Sequence, residues 1–292
     1  MRSELLTQTV KALEDYNFDI LLYLHSCLDI AAQKKHLRLL VKVLENIDGF
    51  RSEHAGELKR LGSSLDACPL IVGESTKSQR MADNTLYDRH DISAVTLGTL
   101  RNSLAGAYPD RLYSTGRVIV EIDGSALEAV RKQKNVTRER LADEIGITKE
   151  SVYFYERRGM KVREDAVRMI ERFLETGLAK QQPPFRGVQT ASSMPKSEIE
   201  KKLALFDFDV YSFNRMNFDV VARDERNKVV VRETPARDVG KLVGFSDFFK
   251  TLLAIVGEER GAQVVEKHEL LDAETKKDFL RLLREKTLAV NN

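Results

Sequence analysis

A chain of 292 residues, 32% charged and 42% apolar, has room for about two domains and is not a disordered or low-complexity polymer. Its formal net charge of +2 neither requires nor excludes a polyanionic partner, so the placement of the basic residues has to decide. No apolar run approaches the roughly 20 residues of a membrane span, and no basic lead with an apolar core and cleavage site opens the chain. With Cys27 and Cys68 in apolar, strand-like surroundings and no metal-ligand spacing, the expectation is a cytoplasmic protein with buried thiols and no contact with a membrane.

Residues 3–16 carry Leu6, Val10 and Leu13 as a helical stripe. FDILLYLHS from Phe18, LDIAAQ from Leu28 and LRLLVKVLEN from Leu37 then read as three strands of an antiparallel meander, divided by polar turns such as Lys34-Lys35-His36. A helix is expected at 52–65, with Leu58, Leu61 and Leu65 on one face. A buried strand CPLIVGES comes next, then a polar stretch at 75–84, a strand-like YDRHDISAV and a short helix TLGTLRNSL. That order makes an α/β region of about 100 residues. LYSTGRVIVEIDG reads as a small hairpin with Gly116 in its turn. Beyond the next helical block, residues 177–196 hold Gly177, Pro183, Pro184, Gly187 and Pro195 with little apolar content, the composition of a linker.

The segment beyond this linker repeats the start of the chain. FDVYSFNRMNFDVVARDERNKVVVRE from Phe208 aligns without a gap on the stretch from Phe18, at a constant offset of 190 residues. Phe18, Asp19, Asp29, Ala32 and Lys42 meet Phe208, Asp209, Asp219, Ala222 and Arg232. Each copy is preceded by a helix and succeeded by an apolar one, which favours duplication. The second copy ends in a strand candidate AQVVEK and an amphipathic helix at 273–286.

Between the copies, NVTRERLADEIGITKESVYFYERRG at 135–159 places Thr137 and Thr148 where N-cap oxygens would start two short helices. Arg140 and Ser151 stand three residues on, so neither start is a full capping box. Leu141, Ala142, Ile145, Ile147, Val152 and Tyr155 form an apolar face, and Gly146 permits a tight turn between the helices. This is a helix-turn-helix pattern. Its second helix, 148–157, would lie in a major groove with Thr148, Lys149, Glu150, Ser151, Tyr153 and Phe154 available to base edges. Arg138 would meet a phosphate at the start of the preceding helix. Arg157, Arg158, Lys161 and Arg163 would add affinity that falls with salt.

These residues resemble the Xre/Cro/C1-type repressor module: Leu141, Ala142, Gly146, Ile147, Thr148, Val152, Tyr155, Glu156 and Arg157 match its pattern, while Tyr153 and Phe154 depart from it. The flanking copies resemble the PD-(D/E)XK nuclease and Holliday-junction-resolvase core, with Asp29 and Lys42, or Asp219 and Arg232, at the metal-binding acid and the basic position. The second acid of that motif is replaced by Leu40 and Val230, and one carboxylate is a poor site for a hard divalent cation. Glu45 is near in sequence but on the other strand face from Lys42. The five histidines are scattered singly. Neither a catalytic residue, nor a metal site, nor a cofactor is therefore expected.

As a whole the chain resembles an archaeal family of helix-turn-helix transcriptional regulators with degenerate restriction-endonuclease-like flanks. The resemblance implies α/β plus all-α architecture: a degenerate nuclease-like α/β domain (1–106), a hairpin connector (107–123), a lambda-repressor-like helical domain (124–176), a linker (177–196) and a second α/β copy (197–292). It implies a regulator that binds double-stranded DNA, and the shortness of one half-site suggests a homodimer. A metal-dependent nuclease or resolvase and an antitoxin-like interaction module are the rival readings. The sequence identifies neither a contact with the transcription machinery nor a small-molecule effector.

Overall fold

The computed structural model describes residues 2–24, 27–114, 116–158, 160–233, 238–257 and 264–288. Helix α1 (Arg2–Asp15) leads into strands β1 (Asp19–Leu22), β2 (Ile30–Lys34) and β3 (Leu37–Asn46). Next come α2 (Ser52–Leu65), β4 (Cys68–Ser75), β5 (Thr85–Arg89), β6 (Ile92–Val95) and α3 (Leu97–Leu104). Strands β7 (Arg111–Ser114) and β8 (Arg117–Glu121) precede α4 (Gly124–Gln133), α5 (Arg138–Ile145) and α6 (Lys149–Arg158). They lead to β9 (Lys161–Arg163), α7 (Glu164–Leu174) and α8 (Glu198–Leu205). The chain closes with β10 (Asp209–Ser212), β11 (Val220–Arg223), β12 (Lys228–Arg232), α9 (Val239–Phe249), β13 (Leu252–Val256), β14 (Val264–Val265), α10 (Lys267–Asp272) and α11 (Lys276–Leu288). No helix among the described residues is long and apolar enough to cross a membrane.

Two compact units interleave along the sequence. One comprises Met1–Ala12, Val43–Gly49 and Leu70–Phe185, and the other Leu13–Lys42, Phe50–Pro69 and Arg186–Asn292. In the first, the strands run in the order β4-β6-β5-β7-β8-β9. YDRHDISAV, expected as one strand, is two, because His90 and Asp91 both take positive φ (56° and 61°), as a two-residue type I′ turn demands. The expected hairpin is β7–β8, with Gly116 at φ 82°. It is more than a connector: β7 pairs in parallel with β5, and β8 pairs with β9, the strand directly after the helix-turn-helix. Val120 and Val162 from these strands, with Ile122 just beyond β8, pack into the same apolar core as Leu127, Leu141, Val152 and Ile170. The helical module is thereby seated on the sheet. Residues just beyond α7 hold to it as well, since Lys180 N–H donates to Glu121 O (2.8 Å) and Gln182 N–H to Pro109 O (2.7 Å).

The second unit holds both copies of the strand meander. Ile20 faces Ala32 and Ile30 faces Val41 in the first; Val210 faces Ala222 and Val220 faces Val231 in the second, each pair displaced by 190 residues. The match extends to the chain entering the strands: Asn17 and Asp207 both take positive φ (57° and 59°), and Phe18 and Phe208 N–H donate to Leu13 O and Leu203 O. β12 is continued in parallel by β13 and β14 into a five-stranded sheet. Its buried face carries Val220, Val229, Val231 and Ala254 against Ile199, Leu203, Phe279 and Leu283 of α8 and α11.

The copies pack reciprocally: α2 of the first lies on β10 and β11 of the second, while α9 of the second lies on β1 of the first. Such a two-way exchange is the arrangement of an isologous dimer, here inside one chain. Tyr23 stacks near Phe245 (centroids 5.2 Å apart), Cys27 Sγ lies 3.2 Å from Met216 Sδ, and Glu57 Oε1 accepts the N–H groups of Asn214 and Arg215 at 2.9 and 3.0 Å. Residues 186–196 belong to this unit as an extended strap. Thr190 N–H donates to Ser63 Oγ (2.8 Å), and Ser193 N–H donates to Val210 O on the edge of β10 (2.6 Å).

Candidate nucleic-acid interface

Both expected caps form. Thr137 Oγ1 accepts the Arg140 N–H (3.1 Å) and Thr148 Oγ1 the Ser151 N–H (3.2 Å), satisfying amides that a helix start leaves orphaned. Gly146 ends α5 in the left-handed conformation (φ 68°), where a side chain is rarely accommodated, and its N–H returns to Ala142 O. Leu141, Ala142, Ile145 and Val152 bury one face of the helix pair. The opposite face of α6 is left to solvent: Tyr153 is 43% and Phe154 41% exposed, their rings meeting edge to face at 5.8 Å, and Lys149, Glu150 and Arg157 are exposed beside them. Ser151 is half-buried, its hydroxyl 3.0 Å from that of Thr148. Arg158 closes α6, but its side chain lies outside the described residues, as does Gly159.

One carboxylate organises the module. Glu156, its side chain fully buried, accepts from Arg131 Nε (2.5 Å) through one oxygen and from Arg138 Nε (2.7 Å) through the other. Arg131 also reaches Val136 O (2.6 Å), joining the end of α4 to the start of α5. A charge buried this deeply is tolerable because both oxygens are paired. Arg138 is therefore a tether between α5 and α6 as well as a surface cation. Its guanidinium, held further in the charged form chiefly by the hydrogen bond to Glu156, lies 5.2 Å over the Tyr153 ring. Lys149 is ion-paired with Glu139, whose carboxyl is held below the usual range by that hydrogen bond, although both side chains are half exposed. An open groove of about 690 Å³ at the junction of α4, α5 and α6 collects Lys132, Arg138, Lys149 and Arg157 with Glu128 and Glu139.

Tight packing fixes α6. A Cβ on Gly124 would stand 2.4 Å from the carbonyl oxygens of both Tyr155 and Glu156, so α4 begins against the backbone of α6 at a distance only glycine permits. Sequence reasoning identifies Glu156 as a pattern residue but misses Arg131. The available signal is its position on the first helix of the module, where a lone arginine among Leu127 and Val130 faces inward. Lys161 and Arg163, expected in a basic run after α6, stand on β9, and Arg163 is engaged with Asp165 (2.7 Å).

The nuclease-like positions are also brought together, twice. Lys42 Nζ donates to Asp29 Oδ1 (3.1 Å), and Arg232 Nη1 donates to Asp219 Oδ1 (3.0 Å), while Asp219 Oδ2 accepts the Glu233 N–H (2.7 Å). Leu40 and Val230 are buried where a second acid would be needed. Among the described residues no group of three or more His, Cys, Asp or Glu could hold a metal ion, and Asp29 is wholly shielded from solvent. These residues do not fit the hard divalent cation that the nuclease fold uses. Burial pushes the Cys27 thiol up to about 12, away from the reactive thiolate form.

Two family models match the chain: a PD-(D/E)XK superfamily domain over residues 2–109 and a helix-turn-helix over 127–181. Several archaeal proteins, provisionally named HTH-type transcriptional regulatory proteins, are similar along most of their length. One from Methanothermobacter thermautotrophicus is 29% identical over 91% of this chain and 90% of its own. Another, from Pyrococcus furiosus, is 30% identical over 89% and 86%, and one from Methanocaldococcus jannaschii is 32% identical over 74% and 67%. No solved structure matches the chain at a significant level.

Proposed function

The chain belongs to the archaeal family of HTH-type transcriptional regulatory proteins, and from that premise we propose that it is a DNA-binding regulator that reads a specific duplex sequence through the major groove with α6. The observation that carries this reading is the division of α6 into two faces. Val152 and Glu156 lock one face to α4 and α5, leaving Lys149, Glu150, Tyr153 and Phe154 to meet base edges. Lysine donates to guanine acceptors, glutamate accepts from cytosine, and an aromatic ring covers a thymine methyl. Thr148 and Ser151, at the leading end of the helix, complete the set offered to the base edges. Arg138, Arg157 and Arg158 supply the salt-dependent part of the affinity.

Two chains bind together in this reading, since one module reads a short half-site and a second copy doubles it. In this reading the nuclease-like copies are not an enzyme but supply dimerisation, further DNA-backbone contact or effector binding, and the protein acts in the cytoplasm. Binding selection from random duplexes is the direct test: an enriched motif supports sequence-specific reading, and no enrichment ends it. Within that assay, Lys149→Ala relaxes preference at one or two positions, by about 1–3 kcal/mol. Metal-dependent strand cleavage abolished by Asp29→Ala would favour the nuclease reading instead.

A further inference from the structure

Among the described residues, the internal twofold relation of the second unit leaves one strand edge without its counterpart. Along an antiparallel strand, alternate residues point both N–H and C=O toward the neighbour. Tyr23 N–H turns toward β2 and donates to Asp29 O (2.9 Å), so on β1 the outward groups belong to Ile20 and Leu22. β10 alternates in the same way, with Phe213 N–H donating to Asp219 O (2.8 Å). There the outward groups are occupied: Val210 O accepts Ser193 N–H, and Ser212 N–H donates to Ser193 Oγ (3.0 Å). Ile20 and Leu22, their equivalents on β1, have no such strap among the described residues, and β1 is the terminal strand in its sheet order. This edge is also apolar. Leu22 is 49% and the nearby Leu24 59% exposed, and the strand DILL has none of the lysine, proline or bulge that keeps open edges apart.

We propose that β1 pairs antiparallel with β1 of a second copy of this chain, across a twofold axis at Leu21. Ile20 then faces the partner's Leu22, and each copy contributes two N–H and two C=O groups, so four hydrogen bonds close the contact. The complementarity is that of the edge with itself. Against a second copy in this register, all the outward groups of the four-residue strand are satisfied, and the exposed Leu22 of each copy lies beside Ile20 of the other. The contact is isologous and closes at two copies. It deepens the dimer of the proposed function and rests on that reading for its use on DNA, but not for its formation.

The test is sedimentation of the full chain without DNA, comparing wild type with Leu22→Pro, which removes one outward donor that the single chain does not use. A wild-type dimer that Leu22→Pro weakens at least tenfold, at unchanged melting temperature, supports the proposal. Leu21 would face the partner's Leu21 in a non-hydrogen-bonded pair, roughly 4.5 Å between Cα atoms, within disulfide reach. Leu21→Cys in a Cys68→Ser background should therefore give a 21–21 cross-link on oxidation, and this decides the matter should the proline variant fold poorly. A wild-type monomer, or a dimer that forms no 21–21 cross-link and withstands Leu22→Pro, overturns the proposal. A monomer that still enriches a DNA motif sinks only this interface. A cross-linked dimer that enriches none leaves the interface standing and sinks the DNA reading.

Discussion

The two copies of the strand meander have the same register and the same paired positions, yet they hold charge differently. In the first, the side chains of Asp29 and Lys42 are 0% and 7% exposed; in the second, those of Asp219 and Arg232 are 28% and 18% exposed. A charge in a pair removed from water depends strongly on its partner, whereas one in a pair that still touches solvent depends on it less. The edges diverge too: β10 carries the strap of residues 186–196, and β1 carries none among the described residues. Equivalent backbone has thus become a sealed electrostatic lock in one copy and a strapped, solvent-touched pair in the other. In both, the residue two before the basic one, Leu40 or Val230, is fully buried.

The largest effect that would test this contrast is at Lys42. Lys42→Ala takes the ion-pair partner from the buried Asp29 carboxylate, and should lower stability by about 3–5 kcal/mol in chemical denaturation. Arg232→Ala should cost only about 1 kcal/mol. Equal losses would mean that the copies are energetically alike. Glu156→Ala asks whether the same logic governs the other unit: with Arg131 left buried and without its carboxylate, a loss of about 3 kcal/mol is expected, read from the melting of the helical module. Gly124→Ala should cost about 1–3 kcal/mol by crowding the backbone of α6, because the carbonyls it meets cannot swing away.

The smallest effect concerns pH, at the seam between the copies. Burial raises the carboxyl of Asp66, but the hydrogen bonds and charges of Lys228 and Arg223 outweigh it and hold the group below its ordinary value. A depressed carboxylate contributes stability that is present above the unfolded pKa, near 3.8, and is lost as pH falls through the lower folded value. Asp66 is largely open to solvent, so its share should be below about 1 kcal/mol. Asp66→Asn should flatten the acid limb of the stability profile slightly; an unchanged profile would mean that the two cations do not hold the group.

Much of this architecture was legible in the chain. Period-2 and helical stripes gave the meander and α2, the offset between Phe18 and Phe208 gave the second copy, and Thr137, Gly146 and Thr148 marked the turn by their local chemistry. Long-range pairing was not legible. Nothing local in Lys161-Val162-Arg163 announces that it completes a sheet with β8, and the turn at His90-Asp91 lacks the glycine that usually advertises a type I′ geometry. The site was half legible. Tyr153 and Phe154 stand out because they interrupt the pattern, and both are exposed. Arg138, which the sequence places at a phosphate, is also tied to Glu156, a pairing that depends on where α5 and α6 meet.

The central claim is that α6 reads sequence from a duplex. Selection of binding sites from random DNA, run with the wild type and with a Tyr153→Ala, Phe154→Ala double variant, tests it most directly. The expected result is one enriched motif for the wild type, with preference lost at positions the rings cover while salt-dependent, nonspecific affinity survives. Identical motifs from both proteins, or none from either, would contradict it.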